Sequence, residues 1–547
     1  MKNRSKRNLS LILSAVLLFV GFISAAEAQR KPIHMRMGNI MSVPSLDPKD
    51  QTNAPSYVVA GNIYDSLVFP DPVKNYIPWM AESWKISPDG LKYTFALRKG
   101  LLFHDETEVT AEDIAFSMDR MMTMGGAVST FFKGIKPGST KVLDKYTVEF
   151  NLEKRDPAFL AALISFKILN KKLILQNKQP GRYGEFGDYG AKWIQGNDAG
   201  SGPFMVLEHK HGDYLKTKRF EKYRLAKWHP NAPDLVTFYF IPEMVTMATK
   251  FQKGELDITD TTLEPAIIKE IKKNPNFVVE EHIWPATYLV VMNNKKPPLD
   301  DLYVRKAINY AFNKDVVMNQ ILAGGKYLQG PLPEGLRGGC TDIPYYPFDL
   351  QKAREMLKKS KYTPEQLKDF KMEFAAVATS ERFKKIGLAF ASNMQALGLN
   401  VQMRAVRWDD ICQAARKPET AYHFALNAQA AKYPHASQFL IFYTPEGWGI
   451  GYPLGGIYYQ NPKVTEAIEK GNNAATPEEQ NRYYCEAQKA IVEDAPVAFS
   501  NESIFQYPYW RYVKGFKFPM GANYFEHRFD HFWMDVEDPL FRKNQGW

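Results

Sequence analysis

The stretch from Pro78 to Arg120 reads PWMAESWKISPDGLKYTFALRKGLLFHDETEVTAEDIAFSMDR, and its pattern decides the fold class. Tyr93, Phe95 and Leu97 alternate with other residues, which places them on one face of a half-buried strand. Ahead of them, Ile86-Ser-Pro-Asp-Gly90 supplies a turn between two strands. The Pro88 ring presets φ, and Asp89-Gly90 supports a tight hairpin. The segment FHDETEVTAED then joins a strand to a helix. Thr110 and Asp113 make a capping-box-like start, with Ile114, Met118 and Met121 following at helical spacing. Glu82, Trp84, His104 and Asp105 read as parts of this framework; His104 beside Asp105 also has the look of an acid–base pair.

The same two patterns recur outward along the chain. Tyr146, Val148, Phe150 and Leu152 form another alternating run. Helices are expected where Asp301 precedes Val304, Ile308 and Phe312, and where Asp349 precedes Ala353, Met356 and Leu357. A third is expected where Thr476-Pro477 is followed by Glu479. LVTFYFI and ATYLVVMN read as strands among them. The class is therefore α/β or α+β with mixed sheets, with neither a 20–50-residue repeat nor a low-complexity linker.

The chain has 547 residues, 45% hydrophobic, 14% aromatic and 24% charged, a globular composition. Single cores stop growing beyond roughly 250–300 residues, so more than one lobe is expected. Lys2, Arg4, Lys6 and Arg7 precede an apolar run and Ala26-Glu27-Ala28, the form of a cleaved secretory signal peptide over 1–28. No cysteine stands at the cleavage point, which argues against a lipid anchor. The formal charge is +10, of which the signal segment carries +3, leaving +7. That excess mildly favours an anionic ligand or surface. No basic block interleaved with aromatics points to nucleic acid. Cys340, Cys412 and Cys485 are an odd set, so at most one bridge forms, and the sequence leaves the pair open.

Enzyme readings find little support. GxSxG, HExxH and Walker A patterns are absent from the sequence. His527 with His531, and His209 with His211, have spacings at which metal ligands occur, but such pairs are common by chance, and neither a metal nor a cofactor is expected.

Taken in order, the segments resemble the peptide/nickel-type solute-binding proteins of ABC importers, family 5. SLDP near residue 45, GNIYDSLV, the Pro78–Arg120 stretch, GSGPF, IPE, FQKGELD, KKPPLDDLYVRKAINYAFNKD, YPFDLQKAREMLKK, NMQALGLNVQMR and AIVEDAPV all carry it. The resemblance implies an α/β, two-lobed clamshell with mixed sheets and an extra small domain on lobe I. It maps lobe I to 29–65, 199–288 and 501–547, the extra domain to 66–198 and lobe II to 289–500. The strands near LVVMNN and AFSNES would form the hinge. It further implies a monomeric, non-enzymatic periplasmic protein that captures a small-molecule ligand and passes it to an inner-membrane ABC permease. A secreted hydrolase, a metal-binding protein and a periplasmic chaperone or receptor partner are the rival classes.

In the family's peptide-binding members, a segment Trp-x-Ala-Asp-Tyr-x-Asp-Pro holds the ligand's α-ammonium group through its first aspartate. Here the matching residues run from Gln429 to Ala436. Gln429 stands at the tryptophan position, Lys432 at the first aspartate, Tyr433 at the tyrosine and His435 at the second aspartate. A lysine repels an ammonium group, so the expected ligand is an atypical or modified peptide, an opine-like compound or a sugar-derived compound with an acidic group for Lys432; the alternative reading pairs Lys432 with a protein carboxylate, or lays its stem on apolar surface with the ammonium in solvent. Trp408 resembles a family aromatic near the cleft. Strand periodicity places Arg404 on its face, with Arg407 opposite unless the strand has ended. Ser201 in GSGPF, and Ser42-Val43 before SLDP, match segments that border the cleft. Tyr57, Tyr64 and the C-terminal aromatics read as core packing.

Overall fold

The computed structural model describes residues 30–71, 74–261, 263–322, 324–333, 336, 338–340, 342–516 and 527–547. The expected signal peptide, 1–28, lies outside the described residues. Four elements build the region where the two halves of the molecule meet: helix α1 (Ala54–Ile63) and strands β1 (Phe277–Met292), β2 (Phe424–Ala430) and β3 (Val497–Trp510).

The Pro78–Arg120 stretch folds as its pattern predicts. Ala81–Ile86 and Lys92–Leu97 form a hairpin, and Ala111–Met124 is the helix behind it. Both the N–H and the hydroxyl of Thr110 donate to Asp113, at 2.9 and 2.8 Å. The hairpin lies in a four-stranded antiparallel sheet with Thr147–Asn151 and Lys141–Asp144. Phe95, Phe150, Ile114 and Met118 are fully buried in its core. Arg120, the last residue of the stretch, is buried too. Its two terminal nitrogens reach both Asp47 carboxylate oxygens, at 3.0 and 2.6 Å. A buried bidentate pair fixes orientation as well as distance, so the SLDP segment locks this small domain to the first lobe.

The two lobes share one sheet. Its strand order is Val401–Val406, Met372–Val377, β2, β1, β3, Ile258–Thr259, His34–Asn39, Leu235–Phe240, Tyr214–Arg219 and Phe204–Lys210; Lys326–Tyr327 also pairs with β3. Among the described strands, β1 and β3 run through both halves. In the second lobe β1 is apolar on both faces. Leu289 and Val291 enter one core, and Tyr288, Val290 and Met292 the other, as a strand covered on both sides requires. The β1–β3 register breaks between Trp284 and Thr287 and again between Tyr288 and Leu289. Such irregularities bend and twist a ribbon locally.

The chain's end returns to its beginning. Buried Arg528 donates to Asp65 at 3.1 Å, Asp530 at 2.9 Å and the Tyr223 hydroxyl at 2.6 Å. A disulfide joins Cys340 to Cys485, and Cys412 is free. No helix among the described residues is long and apolar enough to cross a membrane.

Candidate functional site

The chain leaves β2 at Ala430 and turns before the short helix Ser437–Leu440. Gln438 holds the turn in shape. Its Oε1 accepts from the Lys432 N–H at 2.7 Å, and its Nε2 donates to the carbonyls of Tyr433 and His435. Gln429 donates to the Gln438 carbonyl at 3.3 Å. Gln438 is not among the residues the sequence singles out, because a glutamine in a loop carries no periodic or motif signal.

Three parts of the molecule meet at Lys432. Its Nζ stands 5.2 Å from the centroid of the Tyr57 ring, on α1 of the first lobe. Its carbonyl accepts from the Ser165 hydroxyl of the small domain at 3.4 Å. Next along the chain, Tyr433 packs edge-on against Phe131 of the small domain, centroids 5.3 Å apart. Protein surrounds Lys432 on every side, yet part of its surface stays accessible. Burial pushes its pKa down to about 8, since a charged group loses hydration there. Tyr57 is buried, as the core reading expects, but its ring also forms the first-lobe surface beneath the ammonium, where cation–π attraction operates. Tyr64 stays in the core, donating to the Leu46 carbonyl at 3.0 Å.

The other expected residues are placed differently. His435 turns away from Lys432 into the second lobe. Its Nδ1 accepts from the Ser437 N–H at 3.2 Å, which leaves the proton on Nε2, 3.3 Å from Gln480 Oε1. It also packs on Tyr484, so its ring is held inside the second lobe. Arg404 and Trp408 do not share a strand face as expected, because the strand ends at Val406 and Trp408 opens a helix, Trp408–Ala414. Trp408 packs against Tyr452, centroids 5.7 Å apart. Arg404 pairs with Glu373 at 2.7 Å and Arg407 with Asp410 at 2.8 Å, both exposed on the sheet's outer edge. Neither arginine adds charge to the Lys432 site.

Ser42 and Val43 reach the site only through a neighbour. The Ser42 carbonyl accepts from Asn53, which caps α1 by accepting from the Ser56 N–H, and Val43 is core. Ser201 is buried in a crevice with Asp65 and Tyr223, its hydroxyl without a partner. The glycines beside it are there for close approach: a Cβ on Gly200 would stand 2.0 Å from the Ile63 carbonyl oxygen. His104 bonds to Asp198 at 2.7 Å and to the Gly202 carbonyl at 2.9 Å, which ties the quoted stretch to GSGPF and leaves no acid–base pair with Asp105. Among the described residues no group of three metal-binding side chains occurs. His527 is buried and His531 half-buried, on an irregular segment rather than a shared helix face.

A two-lobed fold on a shared sheet, with a lysine enclosed where the lobes touch, defines a binding protein. The comparisons give the class its family. The model of bacterial extracellular solute-binding proteins, family 5, matches residues 75–449, and the chain belongs to that family. A probable D,D-dipeptide-binding periplasmic protein of Escherichia coli K12 is 27% identical over 443 residues, 80% of this chain and 81% of that protein. A glutathione-binding protein of Pectobacterium atrosepticum is 26% identical, over 83% of this chain and 86% of that protein. Among solved structures, a periplasmic binding protein of Helicobacter pylori in complex with the peptide STSA superposes with a TM-score of 0.75. Its identity is 26%, over 93% of this chain and 99% of that one. These relatives are binding proteins, not enzymes.

Proposed function

We propose that this chain is the periplasmic solute-binding component of an ABC importer, and that its ligand is a small organic compound with an acidic group held by Lys432. The position of the Lys432 ammonium carries the reading. It is the charged group presented where the second lobe meets Tyr57 of the first. An ammonium on the ligand would meet it with a repulsion of about 4 kcal/mol at 4 Å in a partly buried setting. A carboxylate or phosphate would be attracted and would restore the lysine's proton affinity. Relatives named for dipeptides, D,D-dipeptides and glutathione support a peptide-like compound. The reversed charge argues for one whose amine is blocked or held elsewhere; opine-like and sugar-derived acids share that chemistry. In this reading the lobes follow the ranges 29–65, 199–288 and 501–547 for lobe I, 66–198 for its extra domain and 289–500 for lobe II. β1 and β3 are the hinge, and the ligand favours closure by touching both lobes. Export through a cleaved leader, a monomeric state and hand-over to a permease complete the proposal.

The test joins two measurements. Mass spectrometry of ligand released from natively purified protein identifies a compound, which calorimetry then titrates against the stripped wild type and Lys432→Glu. The expected result is an anionic compound that binds at least tenfold more weakly to the variant. A cationic or neutral compound, or equal affinity for both proteins, would refute the reading.

A further inference from the structure

Beyond Lys432, the sheet face of the second lobe carries polar groups that charge pairing does not use. In the β1–β2 register Thr287 stands opposite Gln429, and Leu289 opposite Asn427. Alternation puts Thr287, Gln429 and Asn427 on one face. It is the face that Leu289, Val291 and Ala425 share with the segment Phe439–Tyr443. Thr287 and Asn427 are fully buried, and Gln429 and Tyr443 more than nine-tenths so. The Thr287 hydroxyl, Gln429 Oε1 and the Tyr443 hydroxyl have no hydrogen-bond partner in the protein. The Tyr452 hydroxyl comes near Asn427, but neither amide atom completes a hydrogen bond of ordinary length. Folded proteins rarely leave buried polar groups unpaired. Four neutral ones in a single apolar cluster mark the seat of a polar occupant, and Gln429 lies three residues before Lys432.

We infer that an amide-bearing, uncharged body of the ligand lies along Thr287, Asn427, Gln429 and Tyr443 while its acidic end meets Lys432. The inference rests on the acidic-ligand reading and adds the chemistry of the ligand's remainder. Asn427 offers both a donor and an acceptor, and the two hydroxyls serve as either. Such a set matches the N–H and C=O groups of a peptide chain, whereas a hydrocarbon body leaves every member unpaired. On its other side Thr287 faces buried Glu502 of β3.

The test uses the mature chain, stripped of ligand by unfolding and refolding, and four probes in calorimetry: N-acetyl-Ala-Ala, Ala-Ala, gluconate and hexanoate. N-acetyl-Ala-Ala is expected to bind at least tenfold tighter than each of the others. Asn427→Leu and Thr287→Val are expected to weaken it fivefold or more and leave hexanoate unchanged. Asn427→Asp, which keeps the shape and adds a charge, serves as the second variant should Asn427→Leu not fold, and is expected to bind N-acetyl-Ala-Ala at least tenfold more weakly. Hexanoate or gluconate binding as tightly as N-acetyl-Ala-Ala, binding of none of the four, or unchanged affinity in the folded row variants would overturn the inference. The last outcome leaves the row holding water only. If the row variants lose affinity while Lys432→Met does not, the reading of Lys432 fails and the row stands.

Discussion

Lys432 is charged when free in solution and disfavoured as a charge where it sits. Its folded pKa of about 8 lies below the ordinary 10.5 because burial strips its hydration. The unfolded chain therefore holds this proton more tightly between about pH 8 and 10.5, and stability must rise with pH across that window. Below pH 8 both states are protonated and the full penalty remains, about 3 kcal/mol from the shift, offset in part by the Tyr57 ring. Lys432→Met should then be more stable than the ligand-free wild type by about 2 kcal/mol at pH 7. The gap should close as pH approaches 10.5. Denaturant titrations of both proteins at pH 7, 9 and 10.5 check this. A methionine variant no more stable at pH 7 would mean that burial at this position carries no net penalty for the ammonium. In neighbouring residues the sequence was less informative. His435 follows Lys432 by three residues, and only the backbone path, set by Gln438, places its ring on Gln480 of the second lobe.

At the scale of elements, what could be read was what local chemistry dictates. The Thr110, Asp301, Asp349 and Thr476 caps begin helices where expected, because a side chain that meets orphan N–H groups acts within one turn. The helix after Asp301 stops at Ala311, before a separate turn at Val316–Ile321, since Phe312 is extended and Asn313 accepts from the Val316 N–H. The error at Trp408 has the same origin: an alternating run does not announce its last residue. Pairings over long separations were not legible. Cys340 and Cys485, 145 residues apart, could not be chosen over Cys412 from the sequence. In the structure their bridge fixes a loop on the helix Pro477–Asp494. Gln488 there bonds to the Gly338 carbonyl at 2.8 Å and accepts from the Cys340 N–H at 3.4 Å. Gly338 packs under Ala436 in the turn that carries Lys432, where a Cβ would stand 2.8 Å from that of Ala436. Cys340→Ser with Cys485→Ser should cost about 2–4 kcal/mol of stability, as closing a long loop implies. It should also weaken ligand binding, because the support of the turn loosens. Denaturant titration and calorimetry give the two readings. A stable double variant with unchanged affinity would show that Gln488 alone holds the loop.

Across the whole molecule, β1 and β3 run through both halves, and side chains also join the halves, among them Tyr433 with Phe131, Lys432 with Tyr57, Ser165 with the Lys432 carbonyl and Arg155 with the Asn473 carbonyl. In the proposed clamshell, Tyr433 against Phe131 and Lys432 over Tyr57 are contacts that closure would make. An edge-on aromatic pair contributes about 0.5–1.5 kcal/mol beyond its buried area. If that contribution exists only in the closed form, it sets how often the free protein is closed. Ligand affinity falls with the fraction of protein that is competent to bind. Phe131→Ala acts from the small domain, away from the Lys432 ammonium and the row of neutral groups, so it should change closure without changing ligand contacts. Loss of about 1 kcal/mol from the closed state corresponds to roughly a fivefold weaker Kd when the free protein is mostly open. The loss should appear as faster dissociation, because closure follows the first encounter. Small-angle scattering should give the free variant a radius of gyration equal to or larger than the free wild type. Saturating ligand should bring both to the same compact value. A variant that stays expanded at saturation would mean that the pair determines the shape of the closed state itself, and a variant with wild-type affinity and dissociation rate would place the closing free energy in the ligand alone.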